Sequence, residues 1–197
     1  MSRKTVCGYV FIAIYLFLGI EQLFAESQIT ADLRGTIDQV LKIVSDKNLQ
    51  KDPTLRREKL RQVISLRFNY KQMVMRSLAK NYNERSDEER EEFTGLFKKL
   101  LENSYASKIE NYQDETINYV DEKIKGNYAM VRTQIVRKDG VIDVDYKMLK
   151  DNGQWLVYDV VVDNISLVTN YRGTYASEIK RAGLESLIDK LEKQAAG

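Results

Sequence analysis

Residues 128–162 decide the fold: YAMVRTQIVRKDGVIDVDYKMLKDNGQWLVYDVVV. Apolar and polar side chains alternate along much of this stretch, as they do in strands that have one buried face. Two turn signals, Asp139-Gly140 and Asp151-Asn152-Gly153, separate its strand-like segments. Because strands joined by tight turns pair antiparallel, the stretch predicts a meander of three strands, 128–137, 141–149 and 155–162.

A shorter strand-like segment, residues 116–120, precedes this stretch and would add a fourth strand. Helical patterns flank the whole predicted sheet. Upstream, apolar residues recur at helical spacing in residues 29–44. Asp52-Pro53 supplies the N-cap and the first residue of a second helix, and a short third helix follows Phe68.

The clearest helix begins at Ser86, which forms a capping box with Glu89. Its apolar stripe continues over residues 93–112. Downstream of the strands, a further stripe covers residues 167–179, and Gly183 separates it from a last helical segment. Helical segments therefore precede and follow one run of strands along the chain. This order predicts a single α+β domain, with an antiparallel sheet of three to four strands packed on the helices.

Residues 1–25 have the pattern of a signal peptide. Two basic residues precede a charge-free run over positions 6–20, which is shorter than a membrane-spanning helix needs. Ala25 offers a cleavage position, and an exported chain without cysteine suits the periplasm of a bacterium. We therefore expect a mature domain of residues 26–197 in the periplasm, with an uncleaved membrane anchor as the alternative.

The composition excludes several kinds of chemistry. The 197-residue chain has no histidine and a single cysteine, Cys7, which would be removed with the signal peptide. A histidine general base, a Ser-His-Asp triad, a thiol nucleophile and any zinc site that needs imidazole are thereby excluded. The formal net charge of +2 is too small to indicate a nucleic-acid partner. What chemistry remains must rest on carboxylates, lysine, tyrosine and serine, or involve no covalent step. Of these two we expect the second, with no enzyme activity, no cofactor and no metal.

Asp143 and Asp145 are the carboxylates that come closest to a metal or acid–base motif. They are two residues apart in a predicted strand, so they share one side of the sheet and could bind a hard cation or act as paired acids. The even positions 142–148 are all apolar and would fill the opposite, buried side. We therefore expect both aspartates to be solvated.

The helical stripes and the strands are rich in large apolar side chains. A curved sheet over a long helix can close on a solid core, or it can leave a cone-shaped pocket. Hydrophobic spacing does not distinguish these two arrangements, and a close-packed core is the more common one.

A series of short motifs runs along residues 30–192. The motifs are Phe68-Asn69-Tyr70-Lys71-Gln72-Met73, Ser104-Tyr105-Ala106, Val144-Asp145-Tyr146, Trp155-Leu156-Val157-Tyr158-Asp159-Val160, Ile165-Ser166-Leu167-Val168, Tyr171-Arg172 and Gly183-Leu184. In this order and spacing they resemble the MlaC family of toluene-tolerance, or organic-solvent-resistance, auxiliary proteins of an ABC transporter. Among the departures from the family pattern, Asn164 stands where glycine is usual.

The resemblance implies a periplasmic carrier of phospholipid. Such a carrier shuttles lipid between an outer-membrane lipoprotein–porin complex and the MCE-type component of an inner-membrane ABC transporter, and so maintains the lipid asymmetry of the outer membrane. The resemblance also implies an NTF2-like or cystatin-like α+β fold with added N- and C-terminal helices and an apolar pocket for acyl chains. Phospholipid is then the cargo, and no cofactor is implied.

With this resemblance, the large apolar residues of the long helix, the sheet and the C-terminal helix are expected to line the pocket. They are Leu96, Phe97, Leu100, Leu101, Tyr105, Tyr146, Val157, Tyr158, Val160, Val168, Tyr171 and Tyr175. Arg172 could bind a lipid phosphate at the mouth of the pocket. We expect it instead to form a structural ion pair with Asp159 or Asp163.

Three alternatives remain open at this point. A related branch of the family serves hopanoid transport, so the cargo could be a rigid polycyclic lipid. An NTF2-like enzyme would use Tyr146 or Tyr158 with Asp145 or Asp159, and it would need an inward carboxylate with a raised pKa. An interaction module with a filled core would show no cavity of acyl-chain size.

Overall fold

The computed structural model describes residues 27–110 and 115–195. The predicted signal peptide, its cleavage position and Tyr112 therefore lie outside the described residues. Within the two described ranges, no helix is both long enough and apolar enough to cross a membrane.

The described residues form six α-helices, one short 3-10 helix (Leu49–Lys51) and five strands. The helices are α1 (Gln28–Ser45), α2 (Pro53–Arg67), α3 (Tyr70–Leu78), α4 (Lys80–Asn83), α5 (Asp87–Glu110) and α6 (Leu167–Ala195). The strands are β1 (Thr116–Lys125), β2 (Tyr128–Arg137), β3 (Gly140–Asp151), β4 (Gln154–Val162) and β5 (Ile165–Ser166). The prediction of an α+β fold, with helices before and after the sheet, is confirmed.

All five strands belong to one antiparallel sheet in the order β1-β2-β3-β4-β5, so the predicted meander is also confirmed. Tight turns join its strands. Between β3 and β4, Asn152 and Gly153 have φ values of 48° and 83°. These are the left-handed conformations that a type I′ hairpin turn requires, and Asn-Gly adopts them readily.

The first strand is longer than predicted: β1 has ten residues and continues to Lys125. Its ladder with β2 is shifted by a bulge between Tyr119 and Asp121, and the bulge interrupts the alternation that sequence analysis relies on. Beyond the bulge the strand carries the charged run Asp121-Glu122-Lys123. Asp121 and Lys123 are exposed because β1 lies at an edge of the described sheet, and the half-buried Glu122 accepts hydrogen bonds from the hydroxyls of Ser27 and Thr30.

The fifth strand, β5, corrects the expectation of three to four strands. It has only two residues, which pair with the end of β4, and so short a segment carries no periodic pattern. The turn before it places Asp163 and Asn164 at φ values of 47° and 67°. Asparagine tolerates this left-handed conformation better than most residues, which explains how Asn164 replaces the glycine usual in the family.

One face of the sheet packs against α1 and forms a core that we call the sheet core. Its buried residues are Ile29, Leu33, Ala129, Val131, Val144, Met148, Val157 and Val160. The register aligns them, because Ala129 lies opposite Met148 and Val131 lies opposite Tyr146. The even positions of β3 thus point inward, as predicted from their apolar character.

Helices α3, α5 and α6 pack together around a second core, which we call the helical core. Its buried residues are Met73, Val74, Leu78, Tyr82, Phe93, Phe97, Leu100, Leu101, Val168, Tyr175, Leu187 and Leu191. The predicted capping box starts α5: the Ser86 amide donates to Glu89 Oε2 at 2.7 Å, and the Glu89 amide donates to Ser86 Oγ at 3.2 Å. These bonds satisfy two backbone donors that a helix start leaves free.

The two cores meet at Phe68 and Asn69, between α2 and α3. Phe68 packs against both cores and forms a β-bridge with Val157 of β4. The Asn69 amide donates to the Val157 carbonyl at 2.8 Å, and its side chain donates to Asp151 at 2.9 Å while accepting from the Gln72 amide. The start of α3 is therefore fixed to the sheet.

Helix α6 changes direction at Gly183, whose φ of 86° and ψ of 174° are not helical. This is the interruption that the sequence predicted. Glu178 lies before the kink and accepts hydrogen bonds from Arg181 and from Ser186 beyond it. These donors lower the pKa of Glu178 below its ordinary value. One carboxylate thus links the two halves of the helix.

Candidate functional site

The twelve residues predicted to bind lipid are divided between the two cores. Eight pack in or against the helical core: Leu96, Phe97, Leu100, Leu101, Tyr105, Val168, Tyr171 and Tyr175. Three pack in or against the sheet core: Tyr146, Val157 and Val160. Tyr158 instead contacts the Tyr128 ring and the Arg76 guanidinium. The structure therefore places the twelve on both sides of the boundary between the cores and does not gather them around one cavity.

Aromatic rings of α5 and α6 pack together within the helical core. Phe97 makes edge-to-face contacts with Tyr171 and Tyr175, at centroid distances of 5.2 and 6.3 Å. Phe93 contacts Tyr175 in the same way at 5.5 Å. Such pairs stabilise a core by about 0.5–1.5 kcal/mol beyond their buried area. The rings are large and apolar, and they form a surface suited to hydrocarbon.

Two tyrosine hydroxyls of the set are placed in apolar surroundings. The Tyr175 hydroxyl is buried with no hydrogen-bond partner among the described residues. Burial raises the pKa of Tyr175 above its ordinary value and raises that of Tyr146 to about 12. Both phenols therefore stay protonated near neutral pH and contribute bulk rather than acid–base chemistry.

Asp159 is a buried carboxylate of β4, and both of its oxygens accept hydrogen bonds. It accepts from Lys147 Nζ at 3.0 Å, from Ser166 Oγ at 2.7 Å and from the Val168 amide at 3.1 Å. The carboxylate thus ties β3, β5 and the start of α6 together. These three donors give Asp159 a structural role.

Asp145 is half-buried and lies 3.6 Å from the Arg132 guanidinium. It is adjacent in β3 to Tyr146, so the two side chains point to opposite faces of the sheet. An enzyme built on Tyr146 and an inward carboxylate would need the opposite arrangement. The described structure gives neither Asp145 nor Asp159 the unpaired inward position that such an enzyme requires.

The prediction for Arg172 is wrong. Arg172 Nε donates to the main-chain carbonyl of Arg76 at 2.7 Å, and its side chain is exposed. Asp159 is paired with Lys147 instead, and Asp163 accepts from the Asp143 amide. The ion pair was expected because a buried or half-buried arginine is usually paired, but Arg172 is exposed and donates to α3 instead.

The aspartates of β3 do not form a metal site. Asp143 is exposed and accepts from Gln134 Nε2 at 2.9 Å, and Asp145 faces Arg132. Among the described residues, no group of three or more acidic, cysteine or histidine side chains is placed to hold a metal ion. Asp143 is exposed as expected, whereas Asp145 is half-buried beside Arg132.

The two best-defined surface cavities among the described residues are lined by none of the twelve. A cavity of about 330 Å³ beside the α6 kink is lined by Asn81, Glu84, Arg85, Ile179, Leu184 and Glu185. A more open one of about 450 Å³ is lined by Asn164, Ile165, Ser166, Thr169 and Asn170. Neither cavity therefore marks the predicted lipid site.

Comparison with known proteins relates most of the chain to one family. The family model described as MlaC protein matches residues 34–193. The chain belongs to the MlaC family. The resemblance inferred from the short motifs is thereby confirmed.

A curated relative within the MlaC family comes from Haemophilus influenzae and is named intermembrane phospholipid transport system binding protein MlaC. It is 28% identical to this chain over 154 residues, which make up 75% of this chain and 72% of the relative.

A solved structure shares the fold. It is a phospholipid-binding protein from Ralstonia solanacearum, determined in complex with a phospholipid at 1.53 Å resolution. It matches with a TM-score of 0.79 and 23% sequence identity, over 86% of this chain and 98% of that chain. The likeness supports the same arrangement of helices and antiparallel sheet in this MlaC-family member.

Sequence analysis missed the contact between Arg76 and the two tyrosines of the sheet. The Arg76 guanidinium carbon lies 4.4 Å from the centre of the Tyr158 ring and 6.0 Å from that of Tyr128. The three residues belong to α3, β4 and β2. No local pattern relates them, although the predicted helix and strands did place each one on its element.

Proposed function

We propose that this protein is a periplasmic carrier that binds the acyl chains of phospholipid and moves lipid between membranes. The match of the MlaC family model to residues 34–193 carries the proposal. The name of the Haemophilus influenzae relative and the phospholipid complex of the Ralstonia solanacearum protein support the choice of cargo. The lack of histidine agrees with a protein that performs no covalent chemistry.

The energetics of carriage follow from the apolar character of the cargo. Each methylene group transferred from water to an apolar site gains about 0.8 kcal/mol, so a long acyl chain in water costs on the order of 10 kcal/mol. Transfer from a bilayer to an apolar protein site is much closer to neutral, because both environments are dry. A carrier can therefore load and release lipid without consuming energy itself.

We place the acyl chains at the boundary between the helical core and the sheet core. Residues from both sides, such as Leu100 and Tyr171 on the helices and Val160 on the sheet, would then line one site. The unpartnered Tyr175 hydroxyl supports this placement, because a core evolved only for packing rarely buries a polar atom without a partner. Phe68, which packs against both cores, would have to move as the boundary opens.

The proposed carrier is a mature domain of residues 26–197, released by cleavage of the signal peptide 1–25. Its partners would be the MCE-type component of an inner-membrane ABC transporter and a lipoprotein–porin complex of the outer membrane. The word "intermembrane" in the name of the Haemophilus influenzae relative supports a role between two membranes. We include no nucleic acid among the partners, since the net charge is only +2.

Native mass spectrometry of protein purified from the periplasm tests the function directly. The wild type is expected to carry phospholipid, with the cargo mass and stoichiometry read from the same spectrum. A polycyclic lipid of hopanoid type in its place would correct the cargo while keeping the carrier. Protein without any bound lipid, purified under conditions that keep a known carrier loaded, would contradict the proposal.

Two tryptophan variants test the position of the site. Leu100→Trp enlarges a predicted lining residue, and Leu191→Trp enlarges a residue of the same helical core that is not in the predicted lining. Overpacking costs about 1–3 kcal/mol in either case, so both variants should lose similar stability. Bound lipid should fall several-fold only in Leu100→Trp. Equal lipid loading of the two folded variants would show that the site lies elsewhere.

A further inference from the structure

Two arginines, Arg76 of α3 and Arg172 of α6, lack the acidic partner that is usual in this protein. Nine other described arginines have a carboxylate within 4.0 Å: Arg56, Arg57, Arg61, Arg67, Arg85, Arg90, Arg132, Arg137 and Arg181. No carboxylate of the described residues is recorded within that distance of Arg76 or Arg172. The two are therefore set apart from the general pattern of surface ion pairs.

The Arg76 side chain is half-buried and held in place by aromatic rings. Its guanidinium carbon lies 4.4 Å from the centre of the Tyr158 ring and 6.0 Å from that of Tyr128. Its Nε atom is buried and has no hydrogen-bond partner among the described residues. A charged donor that is buried without an acceptor is unfavourable, and a bound ligand that supplies the acceptor would remove this cost.

Arg172 lies at the same corner of the molecule. Its Nε donates to the main-chain carbonyl of Arg76 at 2.7 Å, which leaves the two terminal nitrogens of its exposed guanidinium without a partner in the described structure. The two aspartates expected to pair with it are engaged elsewhere: Asp159 is paired with Lys147, and Asp163 accepts from the Asp143 amide. The corner where α3, α6 and the sheet meet thus carries two uncompensated positive charges.

This corner adjoins the residues that we predict to bind acyl chains. Tyr158 stacks on Arg76, and Tyr171 precedes Arg172 in α6, so each arginine is next to a member of the predicted lining. A ligand with hydrocarbon at the boundary between the cores and an anion at its end would place that anion near the arginines. Phospholipid has this chemistry, with a phosphate at the end of its acyl chains.

We propose that Arg76 and Arg172 bind the phosphodiester of the cargo lipid at the rim of the site. The proposal rests on the carrier function inferred above. The planar guanidinium of arginine matches phosphate oxygens with paired hydrogen bonds, which lysine cannot reproduce. The rings of Tyr128 and Tyr158 hold Arg76 in position before the lipid arrives, so little ordering remains for binding.

The test compares two lipids that have the same acyl chains and differ in whether they carry a phosphodiester head group. Delipidated wild type, Arg76→Gln and Arg172→Gln are incubated with vesicles that contain either phosphatidylglycerol or a diacylglycerol with the same acyl chains. Bound lipid per protein is then measured by native mass spectrometry. Arg132→Gln is the matched control, because Arg132 is a half-exposed arginine of strand β2 that already has an acidic partner, Asp145.

The expected result is a loss of selectivity. Both arginine variants should bind phosphatidylglycerol about tenfold more weakly than the wild type, which corresponds to one lost charge-assisted contact, while diacylglycerol binding stays unchanged. Arg76→Lys should recover part of the loss, and Arg132→Gln should behave like the wild type. Should Arg76→Gln fail to fold, Arg172→Gln gives the same readout from an exposed position.

Other outcomes would overturn the proposal in distinct ways. An equal loss of both lipids would make the arginines structural, and unchanged binding of both would exclude them from the site. The corner would be assigned to another ligand if the variants kept the lipid selectivity of the wild type but lost binding of a different anion. Loss of inorganic phosphate binding would indicate a free anion, and loss of poly-aspartate binding would indicate an acidic protein. If the wild type binds neither lipid, the carrier function itself fails, and the result is distinguishable from all of these.

Discussion

Asp159 joins three parts of the molecule through one carboxylate. Its contacts to Lys147, Ser166 and the Val168 amide span β3, β5 and α6, and only 3% of the residue is exposed. Because the Val168 amide lies at the start of α6, the carboxylate also interacts favourably with the helix dipole. Its role is to fix the angle at which the longest helix leaves the sheet.

We therefore predict that Asp159→Ala lowers the free energy of unfolding by about 3 kcal/mol, since it leaves a half-buried lysine and two further donors without their acceptor. Urea denaturation of the folded protein measures the change. Asp143→Ala is the control, because Asp143 is exposed and its loss should change stability by less than about 0.5 kcal/mol. A similar small effect for Asp159→Ala would mean that packing alone holds α6 in place.

Gly183 supports a second prediction at the scale of one residue. Its φ of 86° and ψ of 174° belong to a region that is almost restricted to glycine, so Gly183→Ala should lower stability by about 1–3 kcal/mol. Gly95 provides the control. It lies in α5, and a methyl group there would meet open space, so Gly95→Ala should raise stability by about 0.5–1 kcal/mol. Thermal unfolding of both variants shows whether the signs differ.

At the scale of elements, α2 is attached to α5 by charge more than by apolar packing. Leu60 is its only buried residue. Between α2 and α5, Arg57 donates two hydrogen bonds to the Glu110 carboxylate, at 2.9 and 3.3 Å. Arg61 forms a second ion pair with Glu102, at 3.1 Å. The hydrogen bond from Arg57 lowers the pKa of Glu110 below its ordinary value of 4.5. The ion pairs therefore fix a helix that the hydrophobic effect holds weakly.

The lowered pKa of Glu110 gives this attachment a defined pH dependence. Its contribution to stability is complete above pH 4.5 and is lost as the pH falls through the lowered folded-state pKa. We predict that Glu110→Gln is about 1 kcal/mol less stable than the wild type at pH 7, and that the difference disappears in acid. Chemical denaturation at a series of pH values measures it. The exposed Glu91→Gln should match the wild type throughout, and a constant gap for Glu110→Gln would contradict the ion-pair account.

The elements also show which features of the fold can be derived from sequence. The capping box of Ser86 and Glu89, the start at Asp52-Pro53 and the turn at Asn152-Gly153 are all local, since each depends on residues at most three positions apart. All three were predicted correctly. The length of β1 was not predicted correctly. A bulge and an edge position, rather than a periodic pattern, determine where this strand ends.

At the scale of the whole molecule, the two cores are joined at Phe68. Phe68→Ala should lower the free energy of unfolding by about 2 kcal/mol, less than for a fully buried phenylalanine, because the residue is only half-buried. It should also uncouple the cores, so that amide hydrogen exchange of α5 and of β3 no longer shows the same protection. Ile37→Ala, which removes a half-buried contact to the sheet core alone, is the control. Equal coupling in both variants would mean that other contacts unite the cores.

The candidate site illustrates the limit of sequence analysis at this scale. The periodicity of the sequence correctly predicted that apolar residues such as Phe97 and Val157 are buried. It could not predict that they belong to separate cores. That division depends on how the helical layer lies on the sheet, through contacts between residues far apart in the chain. The predicted partner of Arg172 was wrong for the same reason, because Arg172 contacts Arg76, which is 96 positions away in the sequence.

The bulged outer strand β1 has a consequence for how the protein behaves in a crowded compartment. An unpaired edge strand invites a second copy to pair with it, and a shuttle that formed such pairs would diffuse slowly and could grow into larger aggregates. The shift at Tyr119 and the charges of Asp121 and Lys123 make that pairing unfavourable. A carrier of apolar cargo can thereby remain a single, freely diffusing copy at high concentration.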